Sequence, residues 1–461
     1  MITRIVIVGA GPAGVRAAQA VVQAGLRPVV VDEGARDGGQ IYRRQPVGFT
    51  RPAAKLYGSE AAKAEALHHD FDALRPQIDY RPNTLAWNVT AGELHTVQDS
   101  NAQTLPFDAL IVCAGATDRL MPVPGWQRAG CYSLGAAQIA LKAQACAIGR
   151  RVIFLGSGPL LYLVASQYLQ AGARVEAVLD TAPATKPWPA LRGLLARPML
   201  AWRGLTMQRS LRRAGIPLLQ GVTPLGIDGS DESGVQAVRV RDARGVEQRF
   251  EGDAVGLGWH LRAESQLADL AGCAFDFEPI SRQWLPRIDE HGRSSVPRVY
   301  LAGDGVRILG ADGAEAAGRL AALAAMADVG HAEGAERLAV EGTALRQRLA
   351  TLDRFRVGLA LAFPWPHAQA AALPDEAVVC RCENVSAGEL RRCVNELGSR
   401  ELNRAKAFSR VGMGRCQGRF CGLAGAEIVA ACAGVPIEVI GRLRTQAPVK
   451  PLLMNTGEAA P

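Results

Sequence analysis

No uncharged apolar run in this 461-residue chain reaches the roughly 20 residues that a bilayer-spanning helix needs. Met1 to Val8 already reads as a buried strand with no charged and apolar regions before it, so a secretory signal is not expected. The expected address is therefore the cytoplasm, where thiols stay reduced, and membrane contact is expected to be peripheral at most. The net charge of +8 comes mainly from arginine spread along the chain. With no lysine-rich tail and no interleaving of aromatic and basic residues, a nucleic-acid role is not expected. The first 375 residues also hold no Cys-x-x-Cys or Cys-x4-Cys, which disfavours dithiol–disulfide chemistry.

What is present is ordinary globular composition, 48% hydrophobic and 21% charged, long enough for two or three domains, with 50 glycines. Arg4 to Val8 predicts a strand, Gly9 to Gly14 a glycine turn, Val15 to Ala24 a helix and Pro28 to Val31 a second strand. In Gly9-Ala-Gly11-Pro12-Ala13-Gly14, Gly9 permits the tight turn and Gly11 lets a pyrophosphate approach the backbone. Gly14 lets helix and strand pack closely, and the helix N-terminus faces the phosphates. Glu33, with Asp32 as its rival, stands where an acid accepts the adenosine ribose hydroxyls.

A second strand–turn–helix–strand unit spans Arg151 to Asp180 and carries Gly156-Ser-Gly158-Pro-Leu-Leu161. Its third glycine is replaced by Leu161, whose bulk should push helix and strand apart, so NAD(P) is a doubtful ligand here. Phe107 to Gly115 predicts a strand ending in a glycine turn. Val299 to Asp304 predicts a late strand, and Gly313 to Val329 an alanine-rich helix. One domain (1–119 and 290–331) is thus expected to be split around an insertion of similar architecture (120–289). A helical connector (332–375), a small cysteine domain (376–440) and a tail (441–461), frayed or used in contacts, follow.

The cysteine domain contains Cys380-x-Cys382 and, further on, Gly412-Met-Gly414-Arg-Cys416-x4-Cys421. Four thiolates on two loops suit the two irons of a [2Fe–2S] cluster, with glycines turning backbone N–H groups toward the sulfurs. Structural zinc is the competing reading, but zinc sites usually space paired cysteines by two to four residues, against one between Cys380 and Cys382. Cys113, Cys131, Cys146, Cys273, Cys393 and Cys432 are scattered singly and read as small buried apolar side chains.

The spacing from Glu33 to Gly38-Gly39-Gln40, the Cys113-Ala114-Gly115 turn and the late Gly303-Asp304 together resemble the two-dinucleotide-domain flavoproteins. The resemblance implies an α/β, Rossmann-like fold and an FAD site lined by Gly9, Gly11, Pro12, Ala13, Gly14, Glu33, Gly39, Gln40, Ala114, Gly115, Gly303 and Asp304. In that family the late aspartate holds the ribityl chain and the inserted domain binds NAD(P)H. Residues 376–440 resemble the bacterioferritin-associated ferredoxin-like [2Fe–2S] domain. The combination is similar to the α subunit of hetero-oligomeric amine and imino-acid dehydrogenases, the opine oxidase, proline dehydrogenase and hydrogen cyanide synthase type.

That resemblance implies a flavin-containing β subunit that oxidises the substrate. It also admits an FMN at a subunit interface, together with a small third subunit. It names no catalytic residue on this chain, which would pass electrons through FAD and cluster. A stand-alone NAD(P)H-dependent reductase feeding its own cluster is the alternative, and an inert scaffold a third reading. Separately, no acidic residue lies between Asp180 and Asp228, where Lys186 and six arginines alternate with Trp188, Leu194, Leu195, Met199, Leu200 and Trp202. Such a stretch suits an acidic partner, a membrane surface or a plain solvated basic face.

Overall fold

The computed structural model describes residues 3–46, 48 and 51–452. Its first sheet is fully parallel, with the strands in the order Val299–Leu301, Ala109–Val112, Ile5–Val8, Val29–Val31 and Asp79–Arg81. All four residues of Ile5–Val8 and of Ala109–Val112 are buried, as expected of parallel strands covered on both faces. The late strand pairs with Ala109–Val112 although nearly two hundred residues separate them, so the chain leaves this sheet and returns to it.

Between departure and return it builds a second parallel sheet, in the order Leu218–Gln220, Arg174–Asp180, Arg151–Ser157, Ala254–Trp259 and Cys131–Ser133. Each of the two sheets is accompanied by a three-stranded antiparallel sheet, spanning 85–106 and 223–251 respectively. The helix Pro12–Gln23 packs on Gly310–Asp328, where a Cβ on Gly318 would lie 2.0 Å from the Ala13 carbonyl oxygen. Only a residue without a side chain allows that approach.

Several element limits differ from the sequence expectation. The first glycine turn is shorter, because Pro12, Ala13 and Gly14 already form the opening turn of the helix. A proline lacking N–H loses nothing in that position. The late strand ends at Leu301, and the helix after it starts at Gly310. Two of the six single cysteines are not buried: Cys146 is exposed and Cys432 half-buried.

The connector is one 31-residue helix, Ala332–Ala362, followed by Phe363-Pro-Trp-Pro366 and a short helix, His367–Ala371. It packs on the helix Trp188–Leu194 through a glycine–glycine contact, where a Cβ on Gly193 would meet the Gly358 Cα at 2.6 Å. The small domain then folds as a two-stranded hairpin and four helices, with a capping box in which Ser386 and Glu389 satisfy each other's backbone N–H. The described tail is used in contacts: Val449 N–H donates to the Trp87 carbonyl at 3.1 Å, and Lys450 pairs with Glu33. The rest of the tail, from 453, lies outside the described residues.

Candidate functional site: a nucleotide cradle joined to a cysteine cluster

Two of the fingerprint glycines, Gly9 and Gly14, are required by contacts. A Cβ on Gly9 would lie 2.4 Å from the Cys113 carbonyl oxygen, and one on Gly14 only 1.7 Å from that of Gly9. Gly39, at φ +60°, faces Gly11 so closely that its Cβ would lie 2.9 Å from the Gly11 Cα. The helix above this cradle begins at Gly11 with no side-chain cap and no acid in its first turn. Its free N–H groups and dipole therefore face the cradle, the arrangement that receives a pyrophosphate.

The two acids after the second strand have separated. Asp32 is consumed by the loop, accepting from the Ala10 N–H and, at 2.5 Å, from the Gly34 N–H. Burial outweighs those two bonds and raises its carboxyl above the ordinary range. Glu33 is exposed at the rim, paired with Lys450 of the tail. Of the two, Glu33 is the one the loop does not consume, and its only partner among the described residues is Lys450 at the rim. Gln40 is exposed and accepts from Arg43. Gly303, at φ +73°, packs on Ala13, and Asp304 accepts through one oxygen from the Leu309 and Gly310 N–H groups at 2.9 and 3.1 Å. Burial pushes the Asp304 carboxyl up to about 6 against those two bonds. Its other oxygen takes no bond among the described residues. Gly39→Val is expected to give protein purified without bound FAD, read from the flavin absorbance released on denaturation.

The cysteines converge. Cys421 touches both Cys380 and Cys416, and Cys416 also touches Cys382, so the four sulfurs form one chain. Cys380 and Cys421 are buried, Cys416 is half-buried and Cys382 exposed. The bond from Cys421, helped by the Gly412 and Glu383 N–H groups, lowers Cys380 to about 6 against its burial. Cys416 falls to about 5, first through Cys421 and then through the Phe420 N–H, Cys382 and the Gly418 N–H, again against burial. Gly412 and Gly418, at φ +79° and +77°, allow those turns. A Cβ on Gly414 would lie 2.3 Å from that of Cys382. Cys421, which shares its bonds with Cys380 and Cys416, is raised, and burial raises Cys382. Two lowered thiols ringed by backbone donors in a glycine cradle, with two more cysteines beside them, fit an iron–sulfur cluster. A cluster asks only two thiolates of each iron.

One buried ion pair joins the two sites. Arg419 binds Glu264 through two nitrogens at 2.8 and 3.1 Å, and also donates to the carbonyls of Cys416 and Val449. The Glu264 N–H in turn donates to the Gly115 carbonyl at 3.0 Å. The turn beside the nucleotide cradle and the loop carrying Cys416 thus share a continuous set of bonds. Gln266 adds a second link, to the Gln417 carbonyl at 2.8 Å. Sequence reasoning missed Glu264, which lies outside every motif, and Arg419, which is one of the four unspecified positions between Cys416 and Cys421.

The second fingerprint is closed. Leu161 is fully buried in the apolar layer over the sheet. Asp180, the counterpart of the ribose acid, is equally buried and accepts from Tyr162 Oη at 2.5 Å and the Ala182 N–H at 2.8 Å. His260 covers Gly158, whose Cβ would lie 3.0 Å from Nδ1, and its Nε2 meets the Phe363 carbonyl at 2.6 Å. Burial lowers His260 to about 4, which keeps it neutral. The end of the connector is thereby fastened across this turn.

Comparison with known proteins agrees with this architecture. Residues 3–327 match the pyridine nucleotide-disulphide oxidoreductase family, and residues 378–431 the BFD-like [2Fe-2S] binding domain. The chain is 36% identical to the A subunit of opine oxidase from Rhizobium meliloti, over 97% of this chain and 86% of that one. It is 30% identical to hydrogen cyanide synthase subunit HcnB of Pseudomonas protegens, over 90% and 89% respectively. The crystal structure of L-proline dehydrogenase from P. horikoshii superposes with a TM-score of 0.70, covering 98% of this chain and 80% of the other at 19% identity, a likeness of fold. The chain belongs to the pyridine nucleotide-disulphide oxidoreductase family, in the group that includes HcnB and the A subunit of opine oxidase, and it ends in a BFD-like [2Fe-2S] domain.

Proposed function

We propose that this chain is the electron-transfer subunit of a multisubunit dehydrogenase whose partner, a flavin-containing β subunit, oxidises an amine, imino acid or opine-type substrate. FAD would be held by Gly9, Gly11, Gly14, Glu33, Gly39 and Asp304, with Ala114 and Gly115 at its edge. The cluster would be held by Cys380, Cys382, Cys416 and Cys421. When bound, FAD exchanges electrons in pairs or singly and the cluster takes one at a time.

The observation that carries the proposal is the closure of the second cradle, together with the bonding of the turn beside the first to the cluster loop through Glu264 and Arg419. The chain's own residues then have limited tasks. Asp304 and Glu33 orient hydroxyl groups, the Gly412 and Gly418 region turns donors toward sulfur, and Arg419 keeps the loop against the flavin domain. A stand-alone NAD(P)H reductase would need the second cradle open. There Asp180 has no accessible oxygen, and His260 with Phe363 lies across the turn.

The test is anaerobic stopped-flow absorbance of the cofactor-loaded chain. NADH is expected to leave the flavin oxidised over the time in which dithionite bleaches it fully. Rapid bleaching by NADH followed by cluster reduction would replace this reading with the stand-alone reductase.

A further inference from the structure

On its way back to the first domain the chain forms a short strand, Leu261–Ala263, paired antiparallel with Ala116–Asp118. Arg262 projects from this strand into a cavity shared with the cysteine domain, where Gln417, Gly418 and Gly422 form part of the lining. Those three residues adjoin Cys416 and Cys421, so the cavity borders the cluster loop. Three arginines line it, and two of them are matched. Arg282 binds Glu427 through two nitrogens at 2.8 and 2.6 Å, and Arg442 binds Asp269 at 2.6 and 2.7 Å. Arg262 makes no hydrogen bond and no ion pair among the described residues, although burial lowers its guanidinium.

The acid two residues further on does not serve it. Both oxygens of Glu264 are taken by Arg419, at 2.8 and 3.1 Å, and that pair cancels its own charge. The position facing Arg262 across the strand pair is Thr117, whose hydroxyl is buried without a partner. Facing residues of an antiparallel pair stand close enough to interact, so a carboxylate there would neutralise the arginine. The chain places none. A buried cation without a counter-charge is costly. Apart from Glu264, the groups that favour the charge on Arg262 are Cys416 and Cys421. A [2Fe–2S] cluster on four thiolates is negatively charged, it gains one more negative charge on reduction, and net charge at the site sets its potential.

We infer that Arg262 is the counter-charge of the cluster, raising its reduction potential and so favouring transfer of electrons from flavin to cluster. The inference rests on the flavin and cluster sites proposed above. One electron leaves the flavin and converts one ferric iron to ferrous, and the added charge falls beside a fixed cation. Arginine stays protonated at any working pH, so the effect needs no proton uptake. Arg262 is no ligand and acts through its field alone.

The experiment is a redox titration of the cofactor-loaded chain with dithionite, followed by electron paramagnetic resonance of the reduced cluster. Arg262→Gln is expected to make cluster reduction at least tenfold less favourable, a fall of about 59 mV in a one-electron midpoint. Arg262→Lys keeps the charge and is expected to recover most of that loss. Thr117→Glu supplies a carboxylate across the strand pair and is expected to lower the potential with the arginine still in place. Iron content and the visible spectrum before reduction show which variants hold the cluster. A loaded Arg262→Gln or Thr117→Glu chain at the parental potential overturns the inference and leaves the cluster assignment standing. An Arg262→Lys chain as low as Arg262→Gln also overturns it, since the effect would then be one of packing. A parent chain that takes up no cluster removes the reading on which the inference rests, and the inference with it.

Discussion

A Cys416→Ala chain is expected to contain no [2Fe–2S] cluster while keeping its flavin. Cys416 is held well below the ordinary thiol range by its bonds to Cys421 and Cys382 and by the surrounding N–H groups, against its burial, so it is a thiolate ready to bind iron at neutral pH. It also touches two of the other three sulfurs, so its removal breaks the chain of ligands in the middle. Iron analysis should fall from about two atoms per chain toward none, and the signal of the dithionite-reduced cluster in electron paramagnetic resonance should vanish. Flavin content should remain, because every candidate flavin contact lies in the first domain. Full cluster content in this variant would show that the four cysteines are not the ligands. Loss of flavin together with the cluster would show that the two sites do not load independently.

The second large effect is expected at Arg419. Its side chain is 9% exposed and that of Glu264 13%, so Arg419→Ala leaves a carboxylate buried without its partner. Breaking a buried pair in this way costs about 3–5 kcal/mol, much of it the isolated charge. It also removes the donor to the Cys416 and Val449 carbonyls. Loss of the cluster's visible absorbance on heating should therefore shift well below that of the parent chain. The midpoint potential of the cluster should move too, which simple destabilisation of a distant element would not produce.

The sign of the pH dependence follows from Glu264. Burial raises its carboxyl, but Arg419 and Arg262 outweigh burial and hold it below the usual range. The group thus contributes stability that is complete above about pH 4.3, the unfolded value, and is lost as pH falls through the depressed folded one. Glu264→Gln should abolish that acid-side loss, seen as flatter melting against pH below about 5.

The first cradle was legible because its requirements are local. Gly9, Gly11 and Gly14 fall within six residues, and Gly9 and Gly14 are each excluded from carrying a Cβ by an atom a short way along the chain or one strand over. The cysteine loops were legible for the same reason, since thiolate spacing is set by the backbone between the ligands. The choice between Asp32 and Glu33 was not. Adjacent residues at a strand end point in opposite directions, and which one the loop consumes depends on where Ala10 and Gly34 bring their N–H groups.

Leu161 announced a changed second fingerprint but gave no sign of what closes it. The closure comes from Phe363, 103 residues beyond His260, and from a tyrosine hydroxyl whose partner lies across a strand. The single cysteines show the same limit in reverse, as nothing near Cys146 signalled its exposure.

By itself the sequence determined the cradle, the cysteine set, the parallel α/β class and the basic apolar excursion. These are matters of spacing, composition and backbone freedom over short stretches. Only the tertiary structure decided which acid the loop consumes, what covers the second cradle, and that Glu264 and Arg419, 155 residues apart, join flavin domain to cluster loop. Such contacts have no period along the chain. They exist because folding buries particular charges and carbonyls together, and a buried group must find its partner wherever the packing places one.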